Sequence, residues 1–198
     1  MPEGTAHFLT CWTGSSAMAP TLSSSWANGQ AQQTWRREAP WAYHYAGRPD
    51  RTAEVVHAIV NNMFGLGPGG LPGNDDSGGL SSWYVWASLG LFPVAGQSVY
   101  LINAPSFAES RIALADEELL IDTSGFVEPV ASGPTQYVQS AIFNGETLDR
   151  TWLTARELHC GGHLRLRLGS QPSAWGTTTR PPSASNVSTQ TVSRPGIS

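Results

Sequence analysis

Val55, Val56, Ile59, Val60 and Met63 recur at the three- and four-residue steps that lay apolar side chains along one stripe of an α-helix. They predict a helix over residues 51–64, with Asp50 as N-cap and Glu54 in the first turn, on the favourable side of the dipole. Gly65 and residues 67–70 stop it. Upstream, residues 39–47 predict the end of a short helix, with Gly47 at its C-cap and Pro49 preventing continuation. A second helix over residues 80–89 closes at Gly90. Leu80, Trp83, Tyr84 and Ala87 form one face, and Val85, Trp86 and Leu89 widen it. An apolar arc that wide asks to be enclosed by other helices.

From Gln97 the period changes. Residues 98–102, 110–114, 119–122 and 137–143 predict short strands. Asn144-Gly145, between 137–143 and 148–154, predicts a hairpin, because both residues accept the left-handed geometry of a type I′ turn. Within residues 158–168, Leu164-Arg165-Leu166-Arg167-Leu168 alternates and asks for one dry and one wet face. The class is α+β, helices first and antiparallel strands after. Four segments follow: a poorly ordered 1–38, a helical 39–95, a β-rich 96–176 and a Thr/Ser/Pro tail at 177–198, expected to be disordered.

Composition narrows the function more than the fold. Net charge is −4 and the 11 basic side chains form no block, which argues against nucleic acid as a partner. No apolar run approaches the roughly 18 residues of a membrane span. Met1-Pro2-Glu3-Gly4 lacks the basic and apolar regions of a secretory signal, and Asn186-Val187-Ser188 is a glycosylation sequon that matters only on the secretory route. Cys11 and Cys160 have no metal-ligand spacing and read as free thiols, with one disulfide as the alternative. Eight tryptophans exceed what a core of this size needs, and stacking on sugar faces is one use for a surplus.

The densest chemistry lies in Gly69-Gly70-Leu71-Pro72-Gly73-Asn74-Asp75-Asp76-Ser77-Gly78-Gly79. Two adjacent carboxylates and an amide sit in a loop whose glycines permit close backbone approach. Such a set can hold a hard cation, activate water or grip sugar hydroxyls; it can also simply cap the following helix. Asp75 reads as the residue that caps the helix start.

Continued through Leu80-Ser81-Ser82-Trp83-Tyr84-Val85-Trp86-Ala87-Ser88-Leu89-Gly90-Leu91-Phe92-Pro93-Val94, this loop resembles the signature of the glycoside hydrolase family 92 α-mannosidases. Tyr43-His44-Tyr45-Ala46-Gly47-Arg48-Pro49, Tyr137-Val138-Gln139-Ser140-Ala141, Phe143-Asn144-Gly145, His159-Cys160-Gly161-Gly162 and Pro172-Ser173-Ala174-Trp175-Gly176 resemble that family too. The resemblance implies a calcium-dependent, inverting exo-α-mannosidase acting on mannose-containing glycans, built from a β-sandwich and an (α/α)6 toroid. Residues 39–95 would then be part of the toroid, and 96–176 a sandwich-like C-terminal layer. The remaining toroid and sandwich segments would be needed as partners of a C-terminal fragment. Relatives are often secreted or in the cell envelope.

Carried over residue by residue, the resemblance makes Asp76 the catalytic base and Asn74 its assistant. Glu3, in Glu3-Gly4-Thr5-Ala6, becomes the acid. Calcium falls to Asp76 and Asn74, and sugar contacts to Asn74, Asp75 and Trp83. Where relatives place a metal-contacting Asn-Glu-Pro motif, this chain has Thr34-Trp35-Arg36-Arg37-Glu38-Ala39-Pro40. Two other functions stay open: a catalytically inactive truncated mannosidase with a structural or weak sugar-binding role, and a lectin-like module.

Overall fold

The computed structural model describes residues 38–114, 117–130 and 133–183. A 3-10 turn, Ala39–Trp41, leads into α1 (Tyr43–Ala46), which ends at Gly47 as expected, with φ 70° and its N–H donating to the His44 carbonyl. Helix α2 (Pro49–Met63) begins two residues earlier than its apolar stripe suggests. Pro49 keeps α1 from continuing, as expected, and also opens α2, because its fixed φ and missing N–H suit the first helical position. Asp50 is therefore inside the first turn, where its carboxylate accepts from Arg48 Nη2 at 2.7 Å. The buried stripe of α2 is Thr52, Ala53, Val56 and Val60. Helix α3 (Gly79–Leu89) buries Leu80, Trp83, Ala87 and Ser88 and stops at Gly90, as the pattern predicts. Tyr84 and Val85 are exposed, so the predicted arc is only partly enclosed by described residues.

Eight strands follow: β1 (Leu91–Pro93), β2 (Val99–Ile102), β3 (Glu109–Leu114), β4 (Glu117–Ser124), β5 (Tyr137–Phe143), β6 (Glu146–Leu148), β7 (Trp152–Thr154) and β8 (Gly162–Gly169). They make a three-stranded sheet, β1-β2-β7, and a five-stranded sheet, β3-β4-β8-β5-β6. The architecture is α+β. One pairing departs from the antiparallel expectation: β4 and β8 run parallel, Leu119 opposite Gly162 through Ser124 opposite Arg167. Parallel neighbours need a long connection between them, and β5 to β7 supply it.

Two predicted strands are corrected. Residues 148–154 do not form one strand, since Leu148 pairs with Ala141 in the large sheet while Leu153 pairs with Tyr100 in the small one. Residues 158–168 start as helix α4 (Ala155–His159). Thr154 Oγ1 accepts from the Glu157 N–H and the Glu157 carboxylate accepts from the Thr154 N–H, a reciprocal cap that turns the chain into helix before β8.

The small sheet is the middle of three layers. On one side Phe92, Val99 and Leu101 meet Trp41, Val56, Val60 and Trp83 of the helical layer. On the other, Leu91, Ile102 and Leu153 meet Ile121, Leu164 and Leu166 of the large sheet. The burial of β8 follows the predicted alternation, with Leu164, Leu166 and Leu168 inside and Arg165 and Arg167 outside. Segment 172–183 then returns across the layers. Ser173 Oγ donates to the Val138 carbonyl, Trp175 Nε1 to the Leu148 carbonyl, and Pro181 is fully buried. Arg180 lies so close to Gly47 that a Cβ there would fall 1.3 Å from its Nη1. Residues 177–183, at the start of the tail expected to be disordered, are described here, with Pro181 buried and Arg180 donating to the Thr177 carbonyl.

The β5–β6 turn gives a clean test of backbone cause. Asn144 and Gly145 have φ 51° and 87°, as the hairpin reading requires, and the space around Gly145 is open. Gly145→Ala therefore meets no atom and only a left-handed backbone, and we expect a loss of about 1 kcal/mol in denaturant unfolding. An unchanged midpoint would contradict the turn assignment.

Candidate active site

Residues 64–78 link α2 to α3 and hold the candidate chemistry. The loop is pinched at its base, where the Gly65 N–H donates to the Gly70 carbonyl at 2.8 Å and the Gly70 N–H to Gly67 at 3.0 Å. A Cβ at Gly70 would lie 2.1 Å from the Gly65 carbonyl oxygen, so only glycine closes this pinch. Beyond it, Asn74, Asp76 and Ser77 are exposed and Asp75 is half-buried. Asn74 Nδ2 donates to Asp76 Oδ1 at 2.6 Å, which orients the carboxylate.

Asp75 faces the other way. Its Oδ1 accepts from the backbone N–H of Leu80 and of Ser81, and its Oδ2 accepts from Ser81 Oγ. The adjacent carboxylates are thus separated by backbone conformation: Asp76 and Ser77 have φ of 48° and 64°, and Gly78 completes the run at 86°. Left-handed residues other than glycine are uncommon, and each such conformation costs about 1 kcal/mol or more unless its surroundings enforce it.

The other expected site residues fall elsewhere. Trp83 is buried and stacks on Phe64 with 5.9 Å between ring centroids, so it packs the helical core and offers no face to a sugar. The exposed aromatic beside it is Tyr84, 4.8 Å from Phe64. Phe64 itself escaped the sequence reading; an aromatic ending a helix directly before a glycine loop is the signal that marks it. Glu3 and Cys11 lie outside the described residues. Two clefts, one beside His57, Asn61 and Gln136 and one beside Asp50, Tyr137 and Trp175, include none of residues 74–77.

The described donors do not by themselves complete a calcium shell. The ion takes six to eight oxygens, whereas Asn74 and Asp76 offer only the oxygens left by their mutual hydrogen bond, and Asp75 is turned into the helix. Among the described residues no three His, Cys, Asp or Glu side chains gather as a metal site. Nor is any described helix long and apolar enough to cross a membrane.

The order of these elements and the loop between α2 and α3 match known proteins. The profile of the glycosyl hydrolase family 92 catalytic domain covers residues 25–170. The chain belongs to family 92. A secreted glycosidase of uncharacterized activity from Arthroderma benhamiae is 37% identical over 142 residues, covering 70% of this chain and 18% of that protein. The family 92 α-mannosidase of Bacteroides thetaiotaomicron, solved in complex with mannoimidazole, superposes with a TM-score of 0.68 at 25% identity, over 75% of this chain and 20% of its own. An inverting family 92 mannosidase from the same species gives 0.67 at 28% identity, over 78% and 21%. This family 92 chain therefore spans about a fifth of the length of the relatives it matches.

Proposed function

We propose that this family 92 chain carries the base side of an α-mannosidase that releases terminal α-linked mannose with inversion. Asp76 is the base. It takes a proton from water as the water attacks the anomeric carbon, while Asn74 holds the carboxylate through the 2.6 Å hydrogen bond. That bond, on a loop held in an uncommon backbone conformation, is the observation that carries the reading, and the substrates printed for the structural relatives supply the sugar.

Inversion also needs an acid on the far side of the glycosidic bond, roughly 6.5–9.5 Å from the base, so that water fits between them. Glu3 is the candidate in this role. No step is routed through calcium, because the described donors do not make up its shell. The helical and β layers are proposed as parts of the family's toroid and sandwich.

A second reading is that the 198-residue chain does not turn over glycans by itself. The exposure of Asn74, Asp76 and Ser77 favours it, since a glycosidase works best where its base is shielded from bulk water. Incubating the chain with a simple α-mannoside and following the first product by proton NMR decides between them. β-Mannose appearing first supports the proposal, and α-mannose first rules out inversion. No product assigns the chain the inactive role.

A further inference from the structure

We propose that Asp75 is the positioning residue of this site, fixing the backbone from which Asp76 projects without itself meeting the sugar. The proposal rests on the reading of Asp76 as base. Five contacts from the first turn of α3 converge on Asp75. Its Oδ1 accepts from the N–H of Leu80 at 2.9 Å and of Ser81 at 2.8 Å, and its Oδ2 from Ser81 Oγ at 2.7 Å. Its carbonyl accepts from the N–H of Gly79 at 2.6 Å and of Leu80 at 3.3 Å. Between Asp75 and these donors the chain passes through Asp76, Ser77 and Gly78, all left-handed.

A run of that kind relaxes unless both of its ends are held. Here one end is the helix and the other is Asp75, and the Asp75 carboxylate ties them together. The Asn74–Asp76 hydrogen bond spans Asp75, so it depends on the same backbone. The chemistry of the residue suits the task. An ionised carboxylate is the strongest acceptor for amides at a helix N-terminus. Asparagine can still serve both amides through Oδ1 and meet Ser81 Oγ with its NH2, whereas alanine can do neither.

The test compares D75A, D75N and wild type as the 198-residue chain, by α-mannoside kcat and KM, thermal melting, and the NMR signal of the Asn74 side-chain amide. D75A is expected to lower kcat about 100-fold with KM little changed, the size of effect that a misplacement of about 1 Å produces. It is also expected to move the Asn74 signal, and D75N to recover most of both. Unchanged kcat in D75A overturns the proposal. So does a D75N as impaired as D75A, because the charge itself would then be needed at the substrate. Should wild type release no mannose, the mannosidase reading fails, and the Asn74 signal decides for Asp75 alone. Movement in D75A with return in D75N supports the positioning role, and no movement overturns it. If D75A does not fold, Ser81→Ala removes only the hydroxyl contact. A smaller fall in kcat or a shifted Asn74 signal, at wild-type melting, then supports the role, and neither change overturns it.

Discussion

Asp76→Asn is expected to lower α-mannoside turnover by about 10²–10⁴-fold, the contribution of a general base, while melting at the wild-type temperature. The substitution removes the group that accepts the proton from water and keeps its size. The side chain is exposed, so the change empties no core volume. Asn74 can still donate to the new amide oxygen, which keeps the loop bond of 2.6 Å available. Loss of turnover without loss of stability therefore separates chemistry from fold. Steady-state kinetics and calorimetry on the same preparation check both halves. Turnover within about threefold of wild type would remove Asp76 from the base role, since no general base contributes so little.

Acid is expected to weaken the fold between about pH 6.5 and about pH 3, with His44 as a principal source. His44 is buried where the helical layer meets the β layers. It shares a 2.8 Å hydrogen bond between Nδ1 and Thr151 Oγ1, while Nε2 is buried without a hydrogen-bond partner among the described residues. Its ring lies near-parallel to Trp41, which in turn stacks on Phe92 with 4.6 Å between centroids. Burial lowers its pKa from 6.5 to about 3, because a charged imidazole is costly to take out of water.

The unfolded chain takes up this proton near pH 6.5 and the folded chain only near pH 3. Between those values the unfolded state binds more protons, and stability falls as pH falls; above pH 6.5 the group adds no slope. The full window corresponds to on the order of 5 kcal/mol. Chemical denaturation at pH 7, 5 and 4 checks this against His44→Gln. The variant should be weaker at pH 7, through lost packing and an altered bond to Thr151, and should lose less stability on acidification. Parallel losses in the two proteins would shift the acid response to other groups.

The parts of the fold legible in the sequence are those decided by near neighbours. Helix α3 ends where Gly90 says it must, the Asn144-Gly145 turn forms, and β8 alternates as Leu164 to Leu168 alternate. The division of residues 148–154 between two sheets was not legible, because its cause is the pairing of Leu153 with Tyr100, some fifty positions away. The start of α2 was misplaced for a local reason: proline both ends and begins helices, and the apolar stripe gave no sign that Pro49 does both. The Thr154–Glu157 cap was legible as a Thr-x-x-Glu pattern and was overlooked in favour of strand alternation.

In the candidate site, the loop and its residue types were visible in the order of glycines and carboxylates. The capping place of Asp75 was also readable from its position before a helix. The direction of Asp76 was not, since it follows from successive positive φ angles that the sequence Asp-Ser-Gly permits but does not demand. Trp83 was assigned to sugar on the strength of its neighbours in the motif, and its burial against Phe64 comes from how two helices meet.

The position of β8 also sets a timetable for biosynthesis. Strand β8, the last in sequence among the described residues, lies between β4 and β5, sharing its backbone hydrogen bonds with both. A nascent chain halted before Gly162 leaves these two strands with unfilled edges facing each other across a gap. The large sheet can close only once the ribosome has released residue 169, so its formation is a single step rather than a gradual one.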